Sequence, residues 1–423
     1  MNDGRPVTGA ADVPVALGDR ALRDRLVELG RTHGLDAVGV CDAEPFEAAR
    51  TALEERRAEG LHGGMAFTYR NPERSTDPGR VVAGARSMLV GALRYDTTVA
   101  PPPTPGPVAR VARYATEDHY AALRRALRAV ADELHAAAYK AVVVADDNAM
   151  VDRAAAVRAG IGWYGKSSNV LVPGQGSWFV LGSVVTDAVL PATGEPVDDG
   201  CGACTKCLDG CPTGAIVAPG VVDARRCLAW HLQIAGDFPR EFRAALGDRI
   251  YGCDECQEVC PPSRRADRLG PPSGSETSAV AEVPLSAEAT TGAQTAGAAE
   301  PGAWVDLAWL LEATDDELLA RLGRWYVPRR EARYLRRNAL VVLGNSAAPH
   351  DPLTERLLVA HLDGDDELLV AHATWAALQL DRADLIEVPA RAQRPAIAAE
   401  VAAWRAAAHD VPPVGRLGED GAP

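Results

Sequence analysis

The sequence lacks several features that would place it in a familiar class. No stretch reaches the ~18 consecutive apolar residues that a membrane-spanning helix needs, so we expect no membrane partner. The opening, MNDGRPVTGAADVP, shows neither a charged-then-apolar signal pattern nor a twin arginine, which predicts a cytoplasmic location. Positive charge is scarce as well: 44 Lys and Arg stand against 58 Asp and Glu, giving a net charge of −14. This balance argues against an overall basic coat for nucleic acid, although it leaves room for a local basic patch.

Cysteines are few in most of the chain and concentrated in one part of it. Of the nine, all but Cys41 lie between positions 201 and 260. In a reducing compartment such clustering favours metal or cluster ligation over disulfides. Cys41 belongs to an apolar strand pattern and is interpreted as a small buried residue.

The order of predicted elements divides the chain into five segments. Residues 1–18 read as a flexible tail, and 19–190 alternate helical spacing with apolar runs of strand length, which predicts an α/β domain. A cysteine-rich module follows at 191–265, a linker at 266–302, and paired short helices at 303–410, typical of a small helical-repeat domain. The predicted strands are AVGVCDA (37–43), SMLVGALRY (87–95), KAVVVADD (140–147) and two runs joined by a glycine turn in NVLVPGQGSWFVLGSVVTD (169–187).

The linker prediction rests on composition. From 269 to 320 there is no Lys or Arg, and up to 302 Ala, Thr, Gly, Ser, Glu and Pro predominate. Such residues cannot build a core, so we expect this segment to be disordered.

The cysteines form two related patterns. Cys201, Cys204, Cys207 and Cys211, followed by Pro212, give C-x2-C-x2-C-x3-C-P, the bacterial ferredoxin run. Cys253, Cys256 and Cys260, followed by a proline, repeat that run one cysteine short, and Cys227 supplies the missing thiol. In such ferredoxins the fourth cysteine of a run ligates the other cluster.

The crossing rule therefore predicts two four-iron, four-sulfur clusters close enough to exchange electrons. The first would be held by Cys201, Cys204, Cys207 and Cys260, and the second by Cys211, Cys227, Cys253 and Cys256. Structural zinc is the alternative, since paired C-x2-C knuckles bind zinc often. A zinc ribbon, however, has no need of three cysteines in seven residues plus a fourth before proline, repeated.

A catalytic centre is predicted where a strand ends at Asp146 and Asp147. Carboxylates at the carboxyl end of a strand in an open α/β layer lie where ligands bind. The alternative is that either aspartate only caps the next helix. The following GIGWYGK offers glycines, Gly162 among them, that let the backbone approach a large flat group, with Lys166 beside it; loops alone also explain such glycines.

Taken together, these motifs resemble the epoxyqueuosine reductase family. The resemblance rests on CGACTKCLDGCPTGAIVAPGVVDARRCL, IYGCDECQEVCP, DDNAMVDRAAAVRAGIGWYGK, GSWFVLG, NPERSTDP and RRNALVVLGN, and it covers most of 20–380. It implies an α/β cobalamin-binding catalytic domain, a ferredoxin-like two-cluster module and a C-terminal α-helical, HEAT-like repeat domain. The implied activity is cobalamin-dependent reduction of an epoxide on the cyclopentane ring of a modified guanosine in tRNA.

The resemblance also implies roles for individual residues. The proton-donating aspartate falls on Asp146, and an arginine that contacts base-off cobalamin falls on Arg74. No D-x-H-x-x-G lower-ligand motif occurs, in keeping with base-off binding. Opening an epoxide puts negative charge on oxygen, so an acid must stand beside it, and we expect an apolar pocket to raise the pKa of Asp146. The chain departs from the family pattern at Ala149, where proline is common, and at Asp152, where glutamate is common. The order His119–Tyr120, the CPPS that ends the second cysteine run and the long linker are also unusual for the family.

One basic stretch suits a tRNA partner. RWYVPRREARYLRR (324–337) holds six arginines against one acid, and we expect Arg329, Arg330, Arg333, Arg336 and Arg337 to bind phosphates while Trp325, Tyr326 and Tyr334 stack on bases. A solvated helix face is the alternative. We further expect a monomer that receives electrons from a separate reductant protein. Two other functions stay open at this point: a corrinoid reductive dehalogenase or related small-molecule reductase, and a plain iron–sulfur electron-transfer protein.

Overall fold

The computed structural model describes residues 17–95, 101–102, 106–269 and 302–409. The predicted tail (1–18) and linker (266–302) therefore lie mostly outside the described residues. Where they overlap with them, the boundaries are wrong: a helix begins at Leu17, and residues 266–269 complete another helix, Pro261–Leu269.

Eleven strands occur within the described residues. They are β1 Ala37–Asp42, β2 Ser87–Arg94, β3 Val108–Val111, β4 Ala141–Ala145, β5 Trp163–Tyr164, β6 Val170–Leu171, β7 Phe179–Thr186, β8 Ile216–Ala218, β9 Val221–Val222, β10 Arg249–Tyr251 and β11 Trp304–Asp306.

Seventeen α-helices occur in the same part of the chain. They are α1 Leu17–Thr32, α2 Glu47–Ala58, α3 Pro72–Ser75, α4 His119–Ala136, α5 Asp152–Arg158, α6 Lys206–Asp209, α7 Leu228–His231, α8 Arg240–Leu246, α9 Glu255–Glu258, α10 Pro261–Leu269, α11 Leu307–Glu312, α12 Asp315–Leu322, α13 Arg333–Ser346, α14 Pro352–Leu362, α15 Glu367–Gln379, α16 Pro389–Ala392 and α17 Pro395–His409.

The central sheet has the strand order β1-β2-β7-β4, with every neighbouring pair antiparallel. Strands β2 and β7 are apolar runs buried along most of their length, because helices cover both faces of the sheet. On one face α1 and α4 contribute Leu26, Leu123 and Leu127 to the core; on the other, Ala155 and Ala156 of α5 pack against Val90.

The predicted strands are confirmed as β1, β2 and β4, and the two runs predicted in 169–187 are confirmed as β6 and β7, which a glycine turn joins but which do not pair with each other. Strand β6 pairs with β5, and β7 instead inserts between β2 and β4. The glycine turn makes a single bridge, Val172 to Gly176. Burial between two strands stabilises the long apolar run of β7 more than pairing with the two-residue β6 would.

A second, three-stranded sheet joins three segments that the sequence predicts to be separate. Strand β3 lies between β10, parallel to it, and β11, antiparallel to it. These strands come from the predicted catalytic domain, the cysteine module and the helical region respectively. Val111, Ile250 and Val305 consequently share one core with the C-terminal helices.

Helices α11 to α17 pack mainly through α13 and α15, whose inner residues are almost all buried. Gly344 of α13 allows this close contact, since a Cβ there would lie 2.8 Å from the Cα of Ala376 on α15. The region is helical apart from β11, as predicted; its HEAT-like repeat remains a prediction. Across the described ranges, no helix is both long and apolar enough to cross a membrane.

Candidate functional site

The cysteines lie on loops and single-turn helices. Cys207 belongs to α6 and Cys256 to α9, and these two short helices pack against each other. Gly210 permits the contact, because a Cβ there would lie 2.9 Å from a side-chain methyl of Val259. The two cysteine runs are thereby held face to face.

As free thiols, the cysteines fall into two electrostatic groups. Burial raises the pKa of Cys207, and Cys260, Cys201 and Cys204 raise it further; Cys201 and Cys204 likewise add to the burial-driven rise for Cys260. The structure thus brings these four thiols together.

The other four behave in the same way among themselves. Burial raises the pKa of Cys256, and Cys253, Cys227 and Cys211 add to the rise. For Cys253 burial raises the pKa to about 12, with Cys227 contributing. Each group contains the four cysteines that the crossing rule assigns to one cluster, so the thiols fit two cubane clusters. Within the described residues no three His, Cys, Asp or Glu side chains close around a single-ion site, so mutual proximity of the thiols defines the groups.

The segment containing β5 and β6 reaches both thiol groups. Trp163 Nε1 donates to Cys201 Sγ at 3.4 Å, and Asn169 Nδ2 donates to Cys256 Sγ at 3.8 Å. The backbone N–H of Ala215 also donates to Cys211 Sγ, at 3.2 Å. Hydrogen bonds to sulfur help to set the potential of an iron–sulfur cluster, so this segment couples the α/β domain to the clusters.

Two predicted cofactor contacts have local structural partners. Lys166 Nζ donates to the carbonyls of Gly202 (2.6 Å) and Cys204 (3.0 Å), which fixes the loop that carries the first thiol group. Gly162 is required by strand pairing, since a Cβ there would lie 2.1 Å from the carbonyl oxygen of Leu171. The backbone that packs against Gly162 is that of β6, and the contact of Gly162 with a cofactor remains a prediction.

Asp146 occupies the turn that follows β4, with a φ of 53° in the left-handed region. Neither aspartate caps α5, whose N-cap Val151 has no side-chain cap; Asp147 Oδ1 instead accepts from the N–H of Ala149 at 2.8 Å. The Asp146 side chain is open to solvent, yet its pKa is raised by the desolvating protein around it, opposed by Arg124 and assisted by Asp147. This direction agrees with the expectation, but the exposed side chain does not lie in the enclosed apolar pocket that was expected.

Two neighbours of Asp146 could not be anticipated from the sequence. Burial raises the pKa of Tyr120 on α4, and Asp146 and Asp152 add to the rise in that order. Burial also raises the pKa of Asp152 well above its usual value, with Asp146 as the next contributor. Tyr120 lies a long way from the aspartates in sequence, and the pattern of α4 gives no sign of which face meets them.

Arg74 lies on the short helix α3, which is tied to the Asp146 turn. Ser75 Oγ donates to the carbonyl of Asn148 at 2.6 Å, and Asn71 caps α3 by accepting from the N–H of Arg74. The exposed guanidinium of Arg74 makes no hydrogen bond or ion pair with any other described residue. It is therefore available to a ligand bound beside the turn.

The predicted RNA-contacting arginines differ widely in exposure. Arg329 is 73% exposed, both Arg329 and Arg330 have a positive φ, and Arg330 Nη1 donates to the carbonyl of Gly323 at 3.2 Å. Arg333 pairs with Asp366 at 2.5 Å and keeps part of its side chain exposed, whereas Arg336 is mostly covered and bound to Asp315.

For Arg337 the prediction is wrong. Its side chain is fully buried and donates to the backbone carbonyls of His231, Ile234 and Gly236. The stacking predicted for Trp325 and Tyr334 is wrong as well, because both rings are buried. Trp325 stacks on Tyr251, with ring centroids 4.6 Å apart. Tyr326 alone among the three predicted aromatics is exposed, at 62%.

The structure combines two groups of cluster thiols with an α/β domain that donates hydrogen bonds to them and presents a carboxyl with a raised pKa. This combination defines an iron–sulfur oxidoreductase. Residues 200–263 match the family described as a 4Fe-4S double cluster binding domain. An epoxyqueuosine reductase of Vibrio cholerae is 33% identical over 352 residues, 81% of this chain and 88% of that protein. The chain belongs to the epoxyqueuosine reductase family.

Two further comparisons agree with this assignment. An epoxyqueuosine reductase of Bacillus anthracis is 34% identical over 254 residues, 58% of this chain and 66% of that protein. A crystal structure of epoxyqueuosine reductase with an epoxyqueuosine-modified tRNA-Tyr stem loop superposes with a TM-score of 0.74 at 26% identity, covering 90% of this chain and 97% of that one. The dehalogenase and plain electron-transfer alternatives are not favoured by these relatives.

Proposed function

We propose that this chain reduces epoxyqueuosine to queuosine in the anticodon loop of tRNA, with electrons supplied through two four-iron, four-sulfur clusters and cobalamin. The proposal rests on one observation: a single segment of the chain links the two thiol groups to the Asp146 turn. The segment of β5 and β6 touches sulfurs of both groups and follows directly on α5, the helix that the Asp146 turn introduces.

The residues near the turn fit a base-off cobalamin. Arg74 offers a guanidinium to the polar groups of a corrin, and Phe67 and Tyr164 offer exposed apolar rings, 44% and 42% exposed. Burial raises the pKa of Tyr69, Arg56 opposes the rise and Tyr164 adds to it, so Tyr69 and Tyr164 are neighbours. When bound, the cobalamin would deliver electrons from the clusters to the epoxide. Gly162 and Lys166 would then support the site indirectly, through β6 and the cluster loop.

Asp146 would act as the proton donor. As the epoxide opens, negative charge develops on its oxygen, and a carboxyl that stays protonated nearer neutral pH can neutralise it. The raised pKa of Asp146 and its solvent-facing position at the end of β4 suit a substrate that enters from outside. The modified nucleoside would have to be splayed from its loop to reach this carboxyl.

The tRNA surface would consist of Arg329, Arg330 and Arg333, with Tyr326 as a stacking ring. Buried contacts connect this surface to the Asp146 turn. The N–H of Tyr326 donates to the Tyr251 hydroxyl at 2.9 Å, and burial raises the pKa of Tyr251 to about 12, with Asp146 contributing. A loop strand bound at Tyr326 would thus lie near the proton donor.

The test is anaerobic purification with metal counting, followed by an assay on tRNA that contains epoxyqueuosine. We expect about eight iron atoms per chain, four for each cluster, together with stoichiometric cobalt after addition of cobalamin. Asp146→Asn should abolish turnover while leaving both metals in place, and the matched variant Asp147→Asn, which retains the acceptor for Ala149, should stay active. Zinc in place of iron, or no affinity for cobalamin, would contradict the proposal.

The tRNA surface has a separate test. Replacing Arg329 and Arg330 together by glutamine should weaken tRNA binding and reduce the slope of log affinity against log salt by about 1 to 2. Arg356→Gln is the matched control, because that side chain is 61% exposed but lies outside the surface. An unchanged salt slope in the double variant would rule out the surface. The reductant protein and the monomeric state remain predictions from the sequence.

A further inference from the structure

Reduction of the epoxide needs more protons than Asp146 can hold. Removing the epoxide oxygen breaks two carbon–oxygen bonds, consumes two electrons and two protons, and releases the oxygen as water. A carboxyl carries one proton, so the second proton must come from another source, either directly or by restoring the first one. This requirement rests on the proposed function.

The structure offers a second carboxyl next to the first. Asp152 is the first residue of α5, and its Oδ1 is completely enclosed without a hydrogen-bond partner among the described residues. An ionised carboxylate left in such a position would lose the stabilisation that hydrogen bonds normally give a buried charge. A protonated carboxyl fits the position better, because its neutral form has far less solvation to lose.

The charges that face Asp152 favour the same protonation state. Burial raises its pKa well above the ordinary range; Asp146 and Asp147 raise it further, while Arg153 and the backbone N–H of Asp146 oppose the rise. Tyr120 faces it from α4, and Arg124 on the same helix faces Asp146. Two arginines therefore stand among three carboxyls, and the enclosed Asp152 is the better placed of the two raised carboxyls to keep a proton.

We propose that Asp152 is a positioning residue that stores the second proton of the reaction and restores it to Asp146. Asp146 first gives its proton to the epoxide oxygen. The O–H bond of Asp152 then breaks as a new O–H bond forms on Asp146, directly or through the neighbouring Tyr120 hydroxyl. Asp146 donates this second proton to the same oxygen, which leaves as water as the second carbon–oxygen bond breaks, and solvent reprotonates both Asp146 and Asp152 after the product departs. Hydrogen bonds between such groups commonly shorten only once substrate is bound.

The first arm of the test detects the stored proton without any turnover. Infrared spectra of the cluster-loaded protein near neutral pH should show the C=O stretch of a protonated carboxyl, and Asp152→Asn should remove that band. Asp118→Asn is the control, because Asp118 caps α4 two residues before Tyr120 and asparagine keeps the cap acceptor for Ala121. A spectrum unchanged by Asp152→Asn would overturn the proposal.

The second arm measures single-turnover rates on epoxyqueuosine tRNA against pH. For Asp152→Asn we expect a loss of about 100-fold above neutral pH, recovery toward the wild-type rate in acid, and unchanged KM for tRNA. Asp152→Glu, which retains a carboxyl, should keep the wild-type profile. Equal losses in both variants at every pH would indicate a structural role and overturn the proposal. If the wild-type protein fails to convert this tRNA, the proposed function falls, and the infrared arm still decides the protonation of Asp152.

Discussion

The indole Nε1 of Trp163 lies 3.4 Å from Cys201 Sγ and donates a hydrogen bond to it. Trp163 belongs to β5 in the α/β domain, whereas Cys201 begins the first cysteine run. The bond therefore joins the domain that holds Asp146 to the module that would hold the clusters. It also places an N–H dipole against a sulfur whose negative charge grows when a cluster is reduced.

Trp163→Phe should lower the reduction potential of the cluster held by the Cys201 group. A hydrogen bond to sulfur stabilises the reduced state, and losing about 1 kcal/mol of it corresponds to about 40 mV for a one-electron couple. A redox titration followed by electron paramagnetic resonance measures the shift. Tyr164→Phe is the control, since Tyr164 is exposed and only its hydroxyl is removed. Equal potentials in wild type and Trp163→Phe would contradict the role given to this bond.

Lys166→Met should loosen the first cluster before the second. Lys166 Nζ holds the carbonyls of Gly202 and Cys204, and without it the loop that carries three thiols of the first group loses both bonds. We expect about half of the iron to be lost during gel filtration, measured by iron counting, while Lys206→Met, an exposed change on α6, retains it. If Lys166→Met kept all its iron but lost cobalamin affinity, the cofactor contact predicted from the sequence would be supported over the loop contact.

Arg337→Met should destabilise the folded protein by about 3 kcal/mol, because it leaves the buried carbonyls of His231, Ile234 and Gly236 without donors. Burial lowers the pKa of Arg337 to about 10, so the side chain stays charged at neutral pH while it bonds these groups. Thermal unfolding followed by circular dichroism measures the loss. Arg329→Met, at an exposed position, should leave the melting temperature nearly unchanged. A drop of equal size in both variants would contradict the structural role of Arg337.

The parts of the site that the sequence could predict are those with local patterns. The cysteine runs place thiols within a few residues of each other, so cluster ligation by Cys201 to Cys211 and Cys253 to Cys260 can be predicted without knowing the fold. The short apolar strand that precedes them points to Asp146 and Asp147 together, and the family resemblance singles out Asp146.

Other parts depend on contacts between distant segments, which no local pattern encodes. The arginine run at 324–337 looks like an exposed basic face, yet Arg337 turns inward because the end of α7 and the loop after it leave carbonyls that need donors. Tyr120 meets Asp146 only because α4 packs on the central sheet. The sheet of β3, β10 and β11 was also hidden, since three short strands from three predicted segments carry too few residues to signal pairing.

The buried histidine His372 should make stability fall in mild acid. Its Nε2 accepts from the N–H of Phe238 at 3.2 Å, and its Nδ1 lies 2.7 Å from the carbonyl of Leu368, so the ring is neutral with its proton on Nδ1. Burial lowers its pKa well below the usual value, and Arg243, Arg337 and Arg240 lower it further. The unfolded chain takes up a proton here near pH 6.5 and the folded chain does not, so the stability present above that pH is lost as pH falls below it.

The loss attributable to His372 approaches about 1.4 kcal/mol for each pH unit below about 6.5. Other groups titrate in the same range, so the measured quantity is the difference between wild type and His372→Gln in the pH dependence of the free energy of unfolding. We expect the variant to be less stable at pH 8 but to lose less between pH 7 and pH 5.5. His33→Gln, an exposed change, should track the wild type. Parallel curves for wild type and His372→Gln would show that His372 is not held neutral by the fold.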